Sequence, residues 1–72
     1  MSDHIHPADL AKLRLNDIIT APEYDVLLLR TKGLSHRQIA LALDLSRWAV
    51  RDREWNGNRK IEIHRRLRKD VA

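Results

Sequence analysis

Ser35 and Ser46 constrain this chain more than any other two residues. Each can cap a helix, and they stand so close that the first helix must be short and the second must follow almost at once. Ser35-His36-Arg37-Gln38 has a hydroxyl followed three positions later by Gln, so the two side chains can satisfy orphan backbone amides reciprocally. Behind it, Ile39, Ala40, Leu43 and Leu45 follow helical spacing. Ser46 offers a new cap directly after Asp44-Leu45, and a further helix opens with Arg47-Trp48-Ala49-Val50-Arg51. Two helices joined by so short a corner must cross closely, which requires a small residue at Ala40. Ile39, Leu43, Leu45 and Val50 are then the apolar wedge between them. Asp44 stands at the corner, where Gly is common; Asp tolerates the left-handed backbone. The pattern is that of a helix-turn-helix.

Two more helices are expected upstream. Thr20-Ala21-Pro22-Glu23 is a second capping signature with Pro in the first turn, and it leads a helix through Tyr24 and Val26–Leu29 to Lys32. Gly33 follows, suited to the left-handed end of a helix. Pro7–Leu15 is expected as a short helix covering the core with Leu10 and Leu13. The fold class is therefore all-α, a small helix-turn-helix bundle of about four helices. Residues 1–18 form an N-terminal arm or short helix. Residues 19–72 form the helix-turn-helix domain with a basic C-terminal helix.

The far end of the helix opening at Arg47 is contested by its own sequence. Asn56-Gly57-Asn58 is a turn signal, and Lys60-Ile61-Glu62-Ile63-His64 alternates with period two, as a hairpin wing would. The partner strand, Asp52–Trp55, lacks apolar alternation, so one long helix, or one broken at Gly57 and resumed to about Arg68, is favoured. In a continuous helix, Gly57→Ala is expected to stabilise by about 0.5–1 kcal/mol; a left-handed turn would reverse the sign.

Composition narrows the function classes. At 72 residues, 43% hydrophobic and 33% charged, the chain suits one small folded domain with little room for a deep substrate pocket. Having no cysteine, it lacks disulfides, thiol nucleophiles and Cys-zinc sites. No apolar run approaches the roughly 20 residues of a membrane span, and no leader is visible at Met1-Ser2-Asp3-His4, so a cytoplasmic, nucleoid-associated location is expected. His4-x-His6 is too sparse for a metal site, and no cofactor is expected. Ser35, His36 and Asp44 do not read as a triad, because the cap accounts for Ser35. The charge is unevenly distributed. Residues 1–45 carry five basic and six acidic side chains, whereas residues 46–72 carry nine basic and four acidic. A basic C-terminal part fits a polyanionic partner.

Ile19-Thr20-Ala21-Pro22-Glu23-Tyr24-Asp25-Val26-Leu27, then Gly33-Leu34-Ser35-His36-Arg37-Gln38-Ile39-Ala40, then Leu43, Ser46, Val50 and Arg51, resemble the DNA-binding domain of LuxR/GerE-type regulators. Sigma-factor region four is similar over the same span. The resemblance covers about residues 19–61 and departs from the family pattern at Ala49, Arg53 and Gly57. It implies a stand-alone DNA-binding module of a prokaryotic or phage regulator, with Arg51 at the family's base-reading position.

In a helix-turn-helix the early exposed positions of the second helix enter the major groove. Here they are Arg47, Trp48, Arg51, Asp52 and Trp55. Trp48 and Trp55 share a face opposite Val50 and are expected outside the core. Ser46 is foremost a cap. Ser35, His36 and Arg37 open the preceding helix, where a phosphate is favoured. Arg59, Lys60, Arg65, Arg66, Arg68 and Lys69 supply general electrostatics. The expected function is sequence-specific binding of double-stranded DNA as a homodimer that regulates transcription, without enzymatic activity. A protein-interaction module binding RNA polymerase or a host factor is the alternative.

Overall fold

Four helices form where the caps direct them. The computed structural model describes residues 6–71, with side chains through Arg68. Helix α1 spans Pro7–Leu15, α2 Ala21–Thr31, α3 His36–Leu43 and α4 Arg47–Val71, an all-α bundle. Both capping boxes close. Thr20 Oγ1 accepts from the Glu23 amide at 3.3 Å while the Glu23 carboxylate accepts from the Thr20 amide at 2.9 Å. Ser35 Oγ accepts from the Gln38 amide at 3.2 Å, and Gln38 Oε1 accepts from the Ser35 amide at 2.8 Å. Ser46 Oγ accepts from the Ala49 amide at 3.1 Å and starts α4. The left-handed turns fall at Gly33 (φ 88°) and Asp44 (φ 56°), as read from sequence, and also at Asp17 (φ 59°).

Two apolar clusters make the core. Val26, Ile39, Ala40 and Val50 are buried together, with Leu29, Leu34, Leu43 and Leu45 packed around them; this is the expected wedge joined by α2. Leu10, Ile19, Leu27 and Ile61 form the second cluster, flanked by Leu13, Ile18 and Tyr24. Leu10 is fully buried, so α1 packs into the same core as the rest of the chain. Val50 and Ile61 put one face of α4 against both clusters, and the helix between them is unbroken.

The turn signal at Asn56-Gly57-Asn58 and the period-two run after it are thus overridden. Both fall inside one helix, which runs past Arg68 to Val71. Helical rotation explains why. Residues 50, 57 and 61 are spaced seven and four apart, so Gly57 falls on the buried face where α2 crosses. A Cβ at this glycine would sit 2.8 Å from Leu27 Cδ1 and 3.4 Å from Glu23 Cβ. Gly57 is a helix-crossing residue, and the expected stabilisation by Gly57→Ala is corrected on that ground.

Candidate nucleic-acid interface

The rotation of α4 is set by Val50, which is fully buried. At about 100° per residue, Trp48, Asp52 and Trp55 are then turned outward, and Arg51 lies at the edge of the same face. Trp48 is 75% exposed and Trp55 59% exposed, although indoles of that size normally bury. Arg47, Arg51 and Asp52 are exposed as well. His36, Arg47, Trp48 and Arg51 line an open groove of about 450 Å³ between the starts of α3 and α4. Further along, the Arg59 guanidinium lies 5.2 Å above the Trp55 ring centre, within cation–π reach. The outward side of the first half of α4 thus carries aromatic and guanidinium groups side by side.

Other expected site residues have partners inside the protein. Lys60 does not project as a free charge. Its Nζ donates to both Glu23 carboxylate oxygens, at 3.0 and 2.8 Å, and so ties α4 to α2. The 6%-exposed Glu23 is the one buried charged residue among those described. Burial pushes its carboxyl up; the Lys60 ammonium and the Thr20 amide outweigh this and hold it below the ordinary carboxylate range. Lys60 is therefore reassigned from general electrostatics to the fold. Ser35 and Ser46 accept cap hydrogen bonds, and Arg37 is exposed at the start of α3. Arg65, Arg66 and Arg68 are exposed, with Arg66 Nε donating to Glu62 at 3.1 Å. The Lys69 side chain and His4 lie outside the described residues. His6 caps α1 through Nδ1, which accepts from the Ala8 amide at 3.1 Å.

Glu54 is the residue the sequence reading missed. One carboxylate oxygen lies 2.6 Å from His36 Nε2 and the other accepts from Arg30 Nε at 2.8 Å, so one side chain joins α2, α3 and α4. Arg30 also donates to the Leu34 carbonyl at 2.9 Å, holding the α2–α3 loop. Burial pushes the Glu54 carboxyl up, but hydrogen bonds from His36 and Arg30 and the Arg30 charge hold it below the ordinary value. The partners are far apart in the chain, and no local spacing announces them.

Among the described residues, no group of three or more His, Asp or Glu side chains is placed to hold a metal ion. None of their helices is long and apolar enough to cross a membrane. No protein-family model matches the chain, and no curated protein or solved structure matches it either.

Proposed function

We propose that this chain is a sequence-specific double-stranded DNA-binding regulator of transcription whose recognition helix is the first half of α4. The observation that carries this reading is the outward face of α4, where Trp48, Arg51 and Trp55 stay exposed while Val50 is locked in the core. An α-helix fits the major groove, Arg pairs bidentately with the acceptor edge of guanine, and an indole packs on a thymine methyl. Arg47 lines the groove beside Trp48 and Arg51, Arg37 is exposed at the start of α3, and both can meet phosphates. The resemblance to LuxR/GerE-type domains assigns the same helix. A module this small covers few base pairs, so binding as a homodimer on a two-fold site belongs to the proposal. The exposed Ile63 and Leu67, one turn apart on α4, offer apolar surface for it. The regulator acts in the cytoplasm, on the nucleoid.

The test starts from duplexes selected out of a random pool. Arg51→Ala should then weaken the selected site by about 1–3 kcal/mol and leave random DNA nearly unaffected. Trp48→Ala should cost about 1–2 kcal/mol of affinity at the same site. Its melting temperature should barely move, because the ring is already in solvent. The exposed Trp pair also suits a protein partner. If Trp48→Ala leaves DNA affinity intact and abolishes retention of purified RNA polymerase, the polymerase-binding alternative replaces this one.

A further inference from the structure

Glu54 places the one histidine of the groove in a defined orientation. The carboxylate is held from α2 by Arg30 and from α3 by His36, with a 2.6 Å contact to Nε2. His36 also lines the groove that Arg47, Trp48 and Arg51 complete. We propose that Glu54 is a positioning residue of the DNA interface, holding His36 so that Nδ1 donates a hydrogen bond to a DNA phosphate only when the imidazole is protonated. The inference rests on the DNA-binding reading and adds a proton to it.

The chemistry follows from the two ring nitrogens. A carboxylate only accepts hydrogen bonds, so the nitrogen facing it, Nε2, carries the proton of the neutral ring. Nδ1, on the other edge, is then a lone pair and repels a phosphate oxygen, which also only accepts. Contact requires a second proton, taken from solvent onto Nδ1. The resulting imidazolium donates to Glu54 on one side and to the phosphate on the other. Charged groups around the ring set the balance. Glu54 from α4 favours the imidazolium. Arg47 and Arg51 from α4, Arg30 from α2 and the neighbouring Arg37 of α3 oppose it in the free protein. A bound phosphate screens those guanidinium groups and adds its own negative charge, so DNA binding and proton uptake support each other.

Phosphate contact is independent of sequence, so a random duplex of about 20 base pairs serves as the probe at low salt. Its association constant should be measured from pH 5.5 to 8.5 at fixed ionic strength. The wild-type constant should fall by up to about tenfold per pH unit over the range in which binding takes up one proton. His36→Gln should flatten that segment, although His4, His6 and His64 remain. Glu54→Gln should displace it to lower pH, a change that a purely structural ion pair would not produce. On the wild-type protein, at a pH where the free His36 ring shows the ¹⁵N shifts of the Nε2–H tautomer, added duplex should move them to those of the doubly protonated form. Equal pH slopes in wild type and His36→Gln, or a ring that stays neutral in the complex, would overturn this inference while leaving DNA binding in place. Failure to bind any duplex at any pH would overturn both readings.

Discussion

Gly57 shows how one residue can carry opposite instructions at two ranges. Locally, Asn-Gly-Asn favours a turn, and glycine within a helix costs about 0.5–1 kcal/mol relative to alanine. At longer range its place between Val50 and Ile61 puts it under Leu27, with no room for a methyl group. Leu27 is itself buried, so its Cδ1 cannot swing into solvent. Overpacking a core costs about 1–3 kcal/mol, which outweighs the helix-propensity gain. Gly57→Ala should therefore lower stability by about 1 kcal/mol, seen as a drop in melting temperature followed by circular dichroism at 222 nm. A rise in melting temperature would mean that α2 and α4 have slack at the crossing. The clue was present in the seven- and four-residue spacing to the flanking apolar positions, but the turn dipeptides obscured it. Asp44 was simpler, since its corner position and its tolerance of the left-handed backbone point the same way.

Between elements, two carboxylates do much of the joining. Glu23 secures α4 to α2 through Lys60 while closing the α2 cap, and Glu54 joins α2, α3 and α4 through Arg30 and His36. Both carboxyls lie below the ordinary range in the folded chain, so both favour folding when ionised. Their contribution is fully present above about pH 5, beyond the unfolded carboxylate value, and is lost as pH falls through the lowered folded values. Urea unfolding at stepped pH should show stability declining across that acid window, with a shallower decline in Glu23→Gln and Glu54→Gln. Parallel decline in all three proteins would assign the acid sensitivity to other groups. The helices themselves were legible because each cap is local: Thr20, Ser35 and Ser46 each announce a start within four residues. These ties were not, because Glu23–Lys60 and Glu54–Arg30 join residues that only the packed wedge brings together. The exposed indoles were legible by a different route, since fixing Val50 inside fixes Trp48 and Trp55 outside.

On the scale of the whole molecule, α4 sets the shape. A helix of 25 residues is about 37 Å long, close to the 41 Å long dimension of the chain. Its buried side serves both core clusters, and its outer side stays exposed. That division allows a chain with so small a core to present a rigid helix, because the residues available for contact are not the ones holding the bundle together. The partner proposed is duplex DNA, and its phosphates give the claim a direct signature. Arg47, Arg51 and Arg59 of α4 and Arg37 at the start of α3 are exposed guanidinium groups, whereas Arg30 and Lys60 are already held by Glu54 and Glu23. With Arg51 assigned to a base edge, roughly three phosphate contacts per protomer release counterions with a slope of about −3 in log association constant against log salt concentration. Titration of labelled duplex by fluorescence anisotropy across a salt series measures that slope. A value of about −3 per protomer is the predicted result, and a slope near zero would contradict DNA as the partner.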